Sequence, residues 1–197
     1  MSHIQAYLDK IKKHETERFE LKKFGEERFK GARESFVDSC KAIVPNWKDI
    51  NPEVTDKIVR YCIQSDKFDG DLSKGLILMG STGVGKTVYL NALSLMMGYC
   101  NQFRFKIYTG FEMERVYQLD TSHSDVYPLE QALKSKMFGI DDIGEEHASI
   151  KRYGTEINVG IDTLTQRHQL CVSKGYVTFA TTNLNADMIA KKYGSRI

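Results

Sequence analysis

The chain has 197 residues, 41% of them hydrophobic and 27% charged, with a formal net charge of +2. That composition excludes a disordered chain, and the near-balanced charge excludes a nucleic-acid binder that works by bulk electrostatics alone. No run approaches the ~18 apolar residues of a membrane span, and the opening MSHIQAYLDKIKK lacks a signal-peptide core, so a cytoplasmic protein with no membrane partner is expected.

Residues 1–45 read as a helical N-terminal extension. Ile4, Leu8 and Ile11 recur at helical spacing, and dense mixed charge follows with Phe19, Phe24, Phe29 and Phe36 spread along it. Such a segment either lies on its own domain or serves as an arm that grips a partner protein. Pro45 and Pro52 punctuate a junction, Val54 to Ile63 reads as an amphipathic helix, and the domain boundary is placed between residues 45 and 46.

From Lys74 onward short apolar runs alternate with helix-length segments. The runs are GLILM (75–79), FRFKIY (103–108), MFGID (137–141) and YVTFATT (176–182); the helices are expected over 86–99 and 156–169. This alternation predicts an α/β fold, a parallel sheet covered on both faces, with ligands beyond the carboxyl ends of its strands. FRFKIY interleaves aromatic and basic residues: it is either an edge strand with one wet face or a surface for single-stranded DNA. Lys151, Arg152 and Tyr153 form a second basic cluster. Cys40, Cys62, Cys100 and Cys171 are widely spaced without a C-x-x-C pair, the pattern of packed, reduced thiols.

The most specific signal is GSTGVGKT, Gly80 to Thr87, which matches G-x-x-x-x-G-K-[ST] between a strand and an apolar helix. Gly80, Gly83 and Gly85 let successive N–H groups point at phosphate oxygens, and the helix amino terminus adds partial positive charge. The nucleotide-contacting set is Gly80, Ser81, Thr82, Gly83, Val84, Gly85, Lys86, Thr87 and Val88. Lys86 is expected on the β- and γ-phosphates of ATP and Thr87 on Mg²⁺.

GIDDIGEE follows at Gly139 to Glu146. With MFGID expected next to GLILM, Asp141 is placed to hold Mg²⁺ and Asp142 to orient a water for in-line attack. Glu145 and Glu146 lie beyond the strand and read as solvated or ion-paired. Asn183, at the tip of VTFATTN, offers a neutral amide to the attacking water and the γ-phosphate.

Together KGLILMGSTGVGKT, GIDDIGEE, VTFATTNLN and KKYGSRI resemble the motif series of AAA+ ATPases of the DnaC/DnaI helicase-loader and IstB transposition-helper type, over about Lys74 to Ile197. The resemblance implies a three-layer α/β/α P-loop NTPase over 46–197. Lys86 and Thr87 become its Walker A ligands, Asp141 and Asp142 its Walker B pair, and Asn183 its sensor I. It makes Arg196 a candidate arginine finger acting in a neighbouring subunit, with Arg167 as second choice. It also implies a fifth strand beside GLILM and sometimes a lid; both would fall past Ile197, which leaves GLILM at a sheet edge.

The function implied is ATP hydrolysis in DNA replication by a helicase-loader-like homo-oligomer that meets a replicative helicase through its N-terminal extension. An IstB-like helper that serves a transposase is the alternative. A small-molecule kinase shares the phosphate loop, but nothing here resembles an acceptor site. A nucleotide-gated interaction module is the remaining class.

Overall fold

A computed structural model describes residues 18–118, 126–147, 150–152 and 155–193. The first helices are α1 (Phe29–Ile43) and α2 (Pro52–Cys62), the latter with Pro52 at the first turn, where its missing N–H costs nothing. Strand β1 (Ile77–Met79) leads through the glycine-rich loop to α3 (Lys86–Asn101), then β2 (Ile107–Thr109), α4 (Gly110–Gln118) and α5 (Val126–Leu133). After β3 (Met137–Asp141) come the short pair β4 (Ile150–Arg152) and β5 (Thr155–Ile157), then α6 (Val159–Lys174), β6 (Val177–Thr182) and α7 (Ala186–Tyr193).

The main sheet has the order β1-β6-β3-β2, with every pair parallel. This corrects one expectation: MFGID is not beside GLILM, because β6 lies between them, with Met79 opposite Thr182 on one side and Ile140 opposite Ala180 on the other. Among the described residues β1 stands at an edge of this sheet, and its Ile77 and Met79 are 54% and 48% exposed.

Side chains of one strand alternate between the two faces, and so build two cores. Met137, Val177 and Phe179 pack with α1, α2 and α3 on one face; Phe138, Ile140 and Ala180 pack with α4 to α7 on the other. The apolar character of α3 follows from its position. It lies between the sheet and α1, so Leu90, Leu93 and Met97 are fully buried, each contributing about 1.5–3 kcal/mol.

The extension divides into two parts. Ile4, Leu8 and Ile11 lie outside the described residues. α1 lies on its own domain, with Phe36 and Cys40 fully buried in the core that α3 and β6 share. Arg33 fastens it further, its Nε at 2.6 Å from Asp56 on α2 and its Nη2 at 2.8 Å from Asp49. The expected boundary at 45/46 thus falls in the turn between two helices that share one core.

Several strands are shorter than their apolar runs. Gly75 is outside β1, since it passes against the backbone of Thr178, where a β-carbon would lie 1.6 Å from the carbonyl oxygen. In FRFKIY only Ile107 and Tyr108 are in the strand; Phe105 instead turns over Gly139 to stack on Phe179 at 4.6 Å. The helix expected over 156–169 runs three to five residues later. Asn158 caps it by accepting the Ile161 N–H at 2.9 Å, and the left-handed Gly175 ends it. Cys40, Cys62 and Cys100 are buried and Cys171 half-buried, all as free thiols.

Candidate functional site

The loop after β1 turns through Gly83 and Gly85, with φ of +86° and +89°, a backbone region that L side chains rarely adopt. A β-carbon at either glycine would meet no atom within 4 Å, so the concavity they frame is open. Gly85 is also the N-cap of α3 and has no side chain to satisfy that helix's first N–H groups. Ser81, Thr82 and Gly83 are exposed at the tip. The arrangement is an anion cradle at a helix amino terminus.

Lys86 is only 7% exposed and folds back into this cradle. Its ammonium donates to the carbonyls of Gly80 at 2.8 Å and Ser81 at 2.9 Å, and to Asn183 Oδ1 at 2.7 Å. All three partners are neutral, so the cation keeps its full charge for a polyanion.

Because β6 is the middle neighbour, its tip meets both sides of the site. Gly80 N–H donates to the Thr182 carbonyl at 3.3 Å, which fastens the loop to β6. On the other side the Thr181 hydroxyl donates to Asp141 Oδ1 at 2.5 Å and accepts the Asp142 N–H at 2.8 Å. Thr87, one residue into α3, donates to the same Asp141 oxygen at 3.2 Å. Asp141 shares the α3 face of β3 with Met137 and Gly139, which is why a buried carboxylate there meets Thr87 rather than solvent.

Asp142 leaves the strand with φ +54°, a left-handed turn that Asp tolerates better than most residues. The turn separates the two carboxylates that the sequence makes adjacent. Burial, followed by the Asp141 charge, raises the Asp142 carboxyl above the usual range, against the opposing pull of Lys86. A carboxylate so tuned is a better proton acceptor than a free one.

Lys86, Thr87, Asp141, Asp142 and Asn183 are therefore brought together. Arg196 lies outside the described residues, as does Tyr153; Lys151 and Arg152 fall on β4, away from the main sheet. Arg167 is a correction. It is 2% exposed and its guanidinium donates to the carbonyls of Leu133, Ser135 and Val177, each at 2.7 Å, and to Thr178 Oγ1 at 2.9 Å. A side chain locked beneath the sheet cannot reach a neighbouring subunit. Burial lowers it to about 10, so it remains charged at neutral pH.

The glutamate pair also splits. Glu145 is exposed and accepts the Asn183 amide at 2.9 Å. Glu146 is buried and ion-paired rather than solvated, accepting the Gly144 N–H at 2.8 Å and the Tyr193 hydroxyl, with Lys192 Nζ at 3.9 Å. Lys192 in turn donates to the carbonyls of Gly144 and Glu146. Helix α7 thereby clamps the turn that carries Asp142. Sequence reasoning missed this clamp and the role of Thr181. The only signal was two threonines ending a buried strand, where a hydroxyl needs a partner.

No protein-family model matches the chain, and no curated protein does. Solved structures do. The crystal structure of DnaI is similar with a TM-score of 0.55 and 22% identity, covering 79% of this chain and 79% of that one. The DnaC helicase loader is similar with a TM-score of 0.50 and 20% identity, covering 75% and 82%. With its parallel sheet, phosphate loop and flanking helices, the chain has an α/β fold that it shares with the DnaC and DnaI structures.

Proposed function

We propose that the protein is an ATPase that binds ATP in the Gly80–Thr87 loop, hydrolyses it, and acts in DNA replication as a helicase-loader-like factor. The observation that carries this reading is the meeting of Lys86, Thr87, Asp141, Asp142 and Asn183 at the carboxyl ends of β1, β3 and β6. The likeness in fold to a helicase loader supports the replication role.

Each residue has a share of the work. The loop N–H groups and Lys86 bind the phosphates, so Lys86 must leave the Gly80 and Ser81 carbonyls as ATP enters. Thr87 and Asp141 present hard oxygen donors 3.2 Å apart, a set that fits Mg²⁺, and would hold it. When bound, Mg²⁺ neutralises charge on the β- and γ-phosphates. Asp142 takes a proton from the attacking water, and Asn183 hydrogen-bonds that water and the γ-phosphate. Full activity requires a homo-oligomer in which Arg196 completes the neighbour's site.

The test is ATP hydrolysis by the purified protein with and without single-stranded DNA, together with binding to the purified replicative helicase of the same host. DNA-stimulated phosphate release and helicase binding are expected. Binding to a transposase instead supports the IstB-like alternative, and phosphate transfer to a nucleoside would sink both.

A further inference from the structure

At the pole of the sheet opposite the phosphate loop, two neighbouring parallel strands each begin just after a lysine, and a third lysine ends the helix that leads into the next strand. Lys106 precedes β2, Lys136 precedes β3, and Lys174 is the last residue of α6, three residues before β6. The ladder makes these starts adjacent, since the Lys106 carbonyl accepts the Gly139 N–H at 2.9 Å and the Lys136 carbonyl accepts the Val177 N–H at 3.0 Å. With strands about 4.8 Å apart, Lys106 and Lys136 stand at neighbouring strand starts, and the end of α6 brings Lys174 to the same pole.

Aromatic rings are interleaved with these lysines. Phe19 lies 6.0 Å from Phe103 and 6.3 Å from Tyr176, and the Lys136 ammonium stands 5.5 Å from the Phe19 ring centre and 5.9 Å from that of Phe103. The Phe19 N–H donates to the Lys174 carbonyl at 2.7 Å, which fixes the aromatic arm against the end of α6. Phe103 is 40% exposed and, with Arg104, Lys106 and Lys136, borders a groove of about 670 Å³ that has no acidic residue in its lining.

The charges there face rings and solvent rather than carboxylates. Lys106, Lys136, Lys174 and Arg104 are all exposed, and none is within ion-pair distance of a carboxylate among the described residues. Glu20 is the one acidic residue lining the neighbouring depression beside Phe19. Elsewhere, by contrast, Arg33, Lys57 and Arg60 are paired. Unpaired cations with partly exposed rings between them fit a flexible polyanion that carries flat faces, as phosphates and bases do.

We propose that this pole, formed by the starts of β2, β3 and β6 with Phe19 and Phe103, binds single-stranded DNA. The proposal rests on the DNA partner of the reading above but uses no residue of the nucleotide site. One protein can therefore hold DNA at one end of its sheet and turn over ATP at the other. An acidic peptide would satisfy the lysines but leave the rings without a role.

The test is fluorescence anisotropy of a labelled oligo-dT of about 20 nucleotides with the full chain, across a salt series. Lys106→Glu/Lys136→Glu should weaken binding at least about tenfold and flatten the salt dependence. Phe103→Ala should weaken binding and leave the salt slope unchanged. Lys106→Gln/Lys136→Gln, a milder pair, covers any loss of folding in the first variant, checked by melting temperature. Binding of a fluorescent ATP analogue should match wild type in all three, so a failed ATPase reading is separable from a failed DNA surface. Wild-type DNA affinity in both lysine pairs would overturn the proposal, as would equal competition by polyglutamate or tighter binding of oligo-U.

Discussion

Thr181 joins Asp141 to the rest of the site: its hydroxyl, buried at the end of β6, donates to Asp141 Oδ1 at 2.5 Å and accepts the Asp142 N–H at 2.8 Å. One side chain thus sets the direction of the first carboxylate and the turn that carries the second. Removing it leaves a buried carboxylate oxygen and a backbone N–H short of partners, at a cost of about 1–3 kcal/mol. Thr181→Val, equal in shape, should lower stability by that amount in urea unfolding and reduce turnover, while Thr181→Ser restores both. Equal turnover in Thr181→Val would remove Thr181 from the positioning of Asp142.

The raised Asp142 carboxyl makes activity and stability depend on pH in opposite senses. Since burial and the Asp141 charge raise it, the folded protein holds this proton more readily than the unfolded chain does. Its contribution to stability is present below the unfolded value and is lost as pH rises through the folded one. Asp142→Asn should therefore raise Tm at neutral pH and change it little well below the ordinary Asp range. Turnover needs the ionised form, so the wild-type rate should fall on the acid side at a pH above that of an unperturbed Asp. A pH series of melting curves and phosphate release checks both limbs.

Arg167 serves the fold. Arg167→Met removes the interior donor to the carbonyls of Leu133, Ser135 and Val177, and at least about 3 kcal/mol of stability should be lost. Lysine lacks the planar fork and should rescue only part of it. If Arg167→Met unfolds at the wild-type urea midpoint, the structural role is wrong.

Phe36 tests where the extension ends. Buried to 0% between α1 and α3 and stacked on Tyr89 at 6.0 Å, it should cost about 3–5 kcal/mol when replaced by alanine. Deleting residues 1–17, in contrast, leaves this contact in place and should keep nucleotide binding. Those two results together separate an arm from a core helix; a Phe36→Ala protein as stable as wild type would show that α1 is dispensable.

Much of this arrangement was legible in the chain. The alternation of apolar runs and helices implied a parallel sheet because each strand must be carried back across it, and GSTGVGKT fixed its own context because glycine, lysine and threonine each have one physical job there. What escaped was order and depth. Nothing in MFGID or GLILM reveals that β6 passes between them, since sheet order is set by packing of distant segments. Arg167 read as a trans-acting arginine and Glu146 as solvated or ion-paired because a sequence does not report burial. Their partners are largely backbone carbonyls and N–H groups, or residues of α7, which carry no local signature. The short β2 escaped for a similar reason: only the packing of Phe105 over Gly139 takes Phe105 out of the strand.

The most direct test compares Lys86→Ala with Asp142→Asn for both ATP binding and phosphate release. The account predicts that Lys86→Ala loses binding, while Asp142→Asn binds ATP as wild type does and turns it over at least about 100-fold more slowly. Wild-type turnover by Asp142→Asn, or undiminished ATP binding by Lys86→Ala, would contradict it.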